Sequence, residues 1–185
     1  MKRSFIFILC MLMLFAAGCS NGGNNAVSNE ENLDKNPIAG NVISSFNTYD
    51  IKGNEISNDI FKNHKITMIN VWGTFCGPCI EEMPDLQKIY TEYKGENFNL
   101  IGIVSDIRLG QDTKEAASIV SQTKVEYTNI LADDVLSKEV LSYFDYVPYT
   151  IFVDSEGNIL KTLVSGSRSY EKYKEIIDNL IKNMK

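Results

Sequence analysis

The chain has 185 residues, 44% of them hydrophobic, and carries a formal net charge of −6. That length and apolar content allow one well-packed domain with a short appendage, and no internal repeat is visible. The acidic balance argues against nucleic acid and against an anionic lipid surface as partners.

The first 19 residues read as an export leader outside the fold. Lys2 and Arg3 form a charged start, and Phe5 to Phe15 is an apolar run too short to span a membrane comfortably. Ala16-Ala17-Gly18 then precede Cys19, with Ala16 where Leu is usual. The pattern resembles a bacterial lipoprotein signal, which implies that Cys19 is lipidated and becomes the mature N-terminus. An ordinary secretory leader cleaved near Gly18 and an uncleaved anchor are the alternatives. All three export the domain to a compartment where disulfide chemistry operates. Cys10 is discarded with the leader, and loss of Lys2 and Arg3 takes the net charge from −6 to −8. Residues 20–42 are rich in Asn, Ser, Gly and Glu and predict a flexible tether. About twenty such residues span roughly 25 Å root-mean-square.

The folded domain is expected over residues 43–185. Phe46 to Asp50 and Glu55 to Ser57, joined through Lys52-Gly53-Asn54, predict a hairpin. A short helical turn follows at Ser57 to Asn63. The lone histidine, His64, sits in a polar turn and receives no role. Ile66 to Trp72 is an apolar, β-branched run of the kind that forms a buried strand. A helix over about 76–94 presents Cys79, Met83, Leu86 and Tyr90 on one stripe, with a kink expected at Pro84 and a stop at Gly95. Phe98 to Val104 predicts a second buried strand. Asp112-Thr113 caps a helix to about Gln122. Tyr127 to Leu131 predicts a short strand and Leu136 to Phe144 a helix. Tyr149 to Val153 and Ile159 to Val164 predict a hairpin around Asp154 to Asn158. The last helix places Tyr170, Tyr173, Ile176, Ile177, Leu180, Ile181 and Met184 on one side. Strands alternating with helices give an α/β fold, its central sheet mixed because of the hairpin.

Chemistry concentrates at Trp72-Gly73-Thr74-Phe75-Cys76-Gly77-Pro78-Cys79. Cysteines three apart on a first helical turn share a face at roughly 5–6 Å, a separation that suits a disulfide. Cys76 sits where backbone N–H groups lack intrahelical partners and the helix dipole favours an anion, so its thiol ionises readily. Pro78 falls in the first turn, where its missing N–H costs nothing. Cys79 lies a turn deeper and resolves what Cys76 engages. A zinc site needs two further ligands, and beyond the N-terminal cysteines only His64 remains. A purely structural disulfide closing so small a ring would restrain the unfolded chain little. Glu82 lies one turn beyond Cys79 on the same face, whereas Glu81 points elsewhere. Partly desolvated, its carboxylate would hold a proton more tightly and take the one released by Cys79; the alternative is an exposed Glu favouring the helix dipole.

These residues, with Glu82-Met83-Pro84 after them, resemble the thioredoxin superfamily, and more narrowly the TlpA/ResA-type membrane-anchored thiol–disulfide oxidoreductases. The resemblance covers roughly residues 43 to 184. It implies a thioredoxin-like fold with an N-terminal β-hairpin, and a redox disulfide, Cys76–Cys79, as the whole of the cofactor, with no metal. It implies that Val147-Pro148 is the cis-proline loop facing the cysteines, although X-Pro bonds are otherwise mostly trans. Client contacts would come from Trp72, Phe75, Gly77, Pro78, Val147 and Pro148. Asn70 stands where cytoplasmic thioredoxins carry a buried Asp, so proton handling differs; TlpA/ResA-type proteins are similar to this chain there. Phe75 stands where Trp is frequent and preserves a flat apolar rim.

With two cysteines left after processing, the domain is expected to act as a monomeric shuttle. The resemblance implies a membrane thiol transporter of the CcdA/DsbD kind as electron donor. Apocytochrome c, methionine sulfoxide reductase or another exported protein would be the acceptor. Gly77-Pro78 between the cysteines leans toward a reductant. A disulfide-forming oxidase, a peroxiredoxin-like thiol peroxidase (Thr74 lacks the Pro that its pattern wants) and a non-catalytic binding module are the rival readings.

Overall fold

The computed structural model describes residues 35–95 and 97–183. The expected leader, Cys10, Cys19, the tether before residue 35 and Met184 lie outside them. A small antiparallel hairpin comes first, β1 (Asn47–Tyr49) with β2 (Glu55–Ser57), turning at Gly53, whose φ of +88° suits glycine. The chain then alternates: β3 (Ile66–Trp72), α1 (Gly77–Tyr93), β4 (Phe98–Arg108), α2 (Lys114–Gln122), β5 (Thr128–Ala132) and α3 (Asp134–Glu139). It closes with β6 (Tyr149–Val153), β7 (Ile159–Ser165) and α4 (Tyr170–Asn183). Five strands make one mixed sheet in the order β5-β4-β3-β6-β7, in which β3 pairs parallel with β4 and antiparallel with β6. This is the expected α/β architecture, a central mixed sheet flanked by helices. No helix among the described residues is long and apolar enough to cross a membrane.

Period-two alternation along β3 decides which chemistry faces where. All seven of its residues are buried, and Ile66, Met68 and Trp72 join one core cluster with Cys79, Met83 and Leu86 of α1 and Tyr173 and Ile177 of α4. Ile69 and Val71 join the opposite cluster, with Ile38, Phe46 and Leu136. Asn70 is on the same parity as Met68 and Trp72, so an amide is delivered into the α1 side of an apolar core. The site is built around that polar insertion. α1 runs unbroken through Pro84 and stops before Gly95, at φ +96°.

Three boundaries differ from the sequence expectation. The packed domain begins before residue 43: Ile38 and Ile43 are buried, and Gly40 N–H donates to Ile159 O at 2.8 Å, Ile159 N–H to Asn41 O at 2.8 Å and Ile43 N–H to Gly157 O at 3.0 Å. Two buried isoleucines suffice, because Ile159 of β7 and Gly157 just before it supply the backbone partners. β4 continues past Val104 to Arg108, through a register irregularity that the apolar pattern, broken at Ser105-Asp106, does not announce. The predicted helix 136–144 breaks at Val140 (φ −121°, ψ −59°), whose side chain is wholly buried, and resumes as a 3₁₀ turn at Leu141–Tyr143.

Gly102, opposite Asn70 in the β3–β4 register, keeps this face of the sheet thin. A Cβ there would stand 2.1 Å from Asn129 Oδ1, the acceptor of the Trp72 indole N–H at 2.8 Å. Gly102→Ala is therefore expected to cost about 1–3 kcal/mol, read as a lower urea midpoint with unchanged slope.

Candidate active site

The turn after β3 is fixed from two sides. Cys76 N–H donates to Gly73 O at 3.1 Å. Thr74 donates its N–H to Asp106 Oδ1 at 3.0 Å and its hydroxyl to Asp106 Oδ2 at 2.6 Å. Asp106 was not legible as a site residue; its one signal is the polar break at the end of the apolar run 98–104.

Cys76 is the N-cap of α1, and Pro78 falls within the first turn, which holds no acidic residue to compete for the helix end. Its Sγ accepts the backbone N–H of Cys79 at 3.2 Å. Charge on that sulfur is thus met by a fixed donor and by the positive end of a 17-residue helix. Cys76 and Cys79 are joined in a disulfide, with Cα atoms 5.3 Å apart. Cys79 is 0% exposed and Cys76 6%. The order of depth is the expected one, but Cys76 is more covered than its helix-end position suggests, because the 147–148 loop lies against it.

That loop contains a cis Val147-Pro148 bond. Val147 O lies 3.6 Å from Cys76 Sγ, and Pro148 O is held by Gly166 N–H at 2.8 Å. Phe75, 74% exposed, forms the opposite rim, with Gly77 and Pro78 also at the surface. Between Phe75 and Val147 opens a groove of about 510 Å³, lined also by Asp106, Arg108, Phe144 and Tyr146. Of the six expected client-contact residues, Phe75 and Val147 line this groove, Gly77 and Pro78 are exposed beside it, and Pro148 is buried. Trp72 is the correction: it is fully buried, its indole tied to Asn129, and it can only support the turn from below. The alternation that buries β3 on both faces overrides the motif's suggestion of a surface tryptophan.

Glu82 is 4% exposed, in the second turn of α1 on the face of Cys79, whereas Glu81 points to solvent. Its carboxylate is not an exposed helix charge. Oε1 accepts Asn70 Nδ2 at 2.9 Å; Oε2 accepts Tyr173 O–H at 3.0 Å and the backbone N–H of Arg168 at 3.1 Å. Burial nevertheless prevails over these donors and over the Arg168 charge, and pushes the carboxyl up to about 7. A group poised there can both take and give a proton near neutrality. Tyr173 and Arg168 lie 91 and 86 positions from Glu82 and carried no sequence signal.

The chain matches the Redoxin family model over residues 38–177. Thiol-disulfide oxidoreductase ResA of Bacillus cereus is 22% identical over 186 residues, covering 97% of this chain and 99% of that protein. Among solved structures, the thioredoxin domain of a thiol-disulfide oxidoreductase from Bacteroides vulgatus superimposes with a TM-score of 0.59 at 26% identity, covering 75% of this chain and 96% of that one. StoA from Bacillus subtilis shares the fold, with a TM-score of 0.56 at 20% identity over 72% of this chain and 96% of that one.

Proposed function

The chain belongs to the Redoxin family, as a TlpA/ResA-like thiol–disulfide oxidoreductase of the thioredoxin superfamily, and from that premise we propose that it reduces disulfides in exported proteins, with Cys76 as nucleophile. The observation that carries the assignment of roles is the Cys79 N–H donated to Cys76 Sγ at the start of α1. A thiolate at Cys76 attacks one sulfur of a client disulfide; a mixed disulfide forms and the client's other sulfur leaves as a thiolate. Cys79 gives its proton to Glu82 and attacks Cys76, restoring the Cys76–Cys79 bond and releasing the second client thiolate. Two electrons pass from the pair to the client. The sulfurs carry them, so no separate cofactor or metal is called for.

The groove beside the cysteine pair gives a client segment a place to lie between Phe75 and Val147, with Gly77 and Pro78 exposed at the start of α1. We place the domain outside the cytoplasm, cleaved between Gly18 and Cys19 and held by lipid on Cys19, which lies outside the described residues. Electrons would then come from a membrane thiol transporter of the CcdA/DsbD kind and go to apocytochrome c, methionine sulfoxide reductase or a similar exported protein. Insulin reduction driven by dithiothreitol tests the activity. Equilibration with glutathione tests the direction: a potential nearer the roughly −270 mV of thioredoxin than the roughly −120 mV of strong oxidants is expected. A value at the oxidising end would reverse the flow.

A further inference from the structure

Glu82 is sealed among hydrogen-bond donors, and that creates a problem whenever it takes a proton. Asn70 on β3 and the Arg168 backbone ahead of α4 present N–H groups, which cannot accept. Tyr173 on α4 presents a hydroxyl, which can. Its Oη also lies 3.3 Å from Thr150 Oγ1 on β6, a contact in which either oxygen is able to donate. Thr150 stands directly across the β3–β6 register from Asn70 and accepts Asn70 Nδ2 at 3.1 Å. All four side chains are buried.

We propose that Tyr173 is a positioning residue that reverses its hydroxyl to match the charge of Glu82, with Thr150 taking the hydrogen bond that Glu82 gives up. With Glu82 ionised, Tyr173 donates to Oε2 and accepts from Thr150. With Glu82 protonated, the new O–H on Oε2 donates to Tyr173 Oη, and Tyr173 donates to Thr150. One S–H bond of Cys79 breaks and one O–H bond forms on Glu82; no electron moves. The proton is assigned to Oε2, because Tyr173, the one partner able to accept, contacts that oxygen, whose remaining lone pair still meets the Arg168 N–H. Oε1 remains the carbonyl oxygen, held by Asn70. Glu82 thereby changes state without leaving a buried donor pointed at a donor, which would cost more than the hydrogen bond itself.

The titratable or charged groups around Glu82 are few. They are Cys79 on α1, Tyr173 on α4, Arg168 before it, and the buried Tyr127 ahead of β5, whose phenol the Glu82 charge pushes further up. β3 and β6 contribute only the neutral Asn70 and Thr150. The tyrosines stay protonated throughout, and the Cys79 sulfur does not titrate while in the disulfide.

The relay rests on Glu82 as the proton acceptor, but it is testable without any turnover. In the oxidised full-length protein the Glu82 carboxyl is titrated by ¹³C NMR. Tyr173→Phe removes a donor to the anion and is expected to move the midpoint up by about one pH unit, tenfold in proton affinity. Thr150→Val removes the acceptor that the protonated state needs and is expected to move it down, while Thr150→Ser titrates as wild type. Shifts of the same sign in Tyr173→Phe and Thr150→Val, or none in Thr150→Val, overturn the relay. In the infrared, the carbonyl band of protonated Glu82 should rise in Asn70→Ala and hold in Tyr173→Phe; the reverse would place the proton on Oε1. Failure of these titrations with insulin reduction intact would sink the relay alone. Loss of insulin reduction in the wild type would sink the reductase reading.

Discussion

Cys79→Ala is expected to convert the protein from a catalyst into a trap. Cys76 keeps the features that make it nucleophilic: the cap position, the backbone N–H of residue 79 at 3.2 Å from its sulfur, and a first turn free of carboxylates. What is lost is the thiol that releases the client. Turnover in insulin reduction should fall on the order of 10³-fold or more, and a covalent complex should persist on a non-reducing gel. Cys76→Ala should lose turnover equally and accumulate nothing, because the remaining thiol is 0% exposed under the first turn. Mass spectrometry of the trapped band would also identify the client. Equal trapping by both variants would show the roles of the sulfurs to be wrong.

Glu82→Gln is expected to remove a pH dependence from folding stability. The carboxyl, at about 7 in the folded state against 4.5 as its ordinary value, binds its proton more tightly folded than unfolded. Its contribution is therefore complete below pH 4.5 and is lost as pH rises through 7, a fall of about 3 kcal/mol across the window. Gln has no charge to bury, although its NH2 meets Tyr173 only by giving up the Arg168 N–H contact, a constant cost at every pH. The variant's stability should therefore stay flat where wild type falls by about 3 kcal/mol between pH 4.5 and 8, in urea denaturation of the oxidised form. Parallel stability curves would mean that burial does not control this group. In the reduced protein the same variant should slow release of the mixed disulfide.

Most of the architecture was legible because β3, the CxxC turn and α1 are contiguous, and their periodicities change where the structure changes. The cis-proline loop became legible only through resemblance, since Val147-Pro148 by itself reads as an ordinary strand start. The docking of residues 40–43 was hidden because backbone hydrogen bonds to Gly157 and Ile159 leave no side-chain pattern. Trp72 misled for a related reason: proximity in sequence to Cys76 says nothing about which face of a fully buried strand a side chain takes. The surroundings of Glu82 were the largest omission. Asn70, Thr150, Tyr173 and Arg168 come from β3, β6, α4 and the approach to α4, and only the closed sheet links them with Glu82 into one hydrogen-bonded network.

The central claim, that the N-terminal sulfur of the pair is the nucleophile because the helix end stabilises its thiolate, is tested most directly by alkylation of the reduced protein. Iodoacetamide is added over a range of pH, and the modified peptides are quantified by mass spectrometry. Cys76 is expected to react at least about tenfold faster than Cys79, with a midpoint below the roughly 8.5 of a free thiol. Equal rates, or Cys79 reacting first, would contradict it.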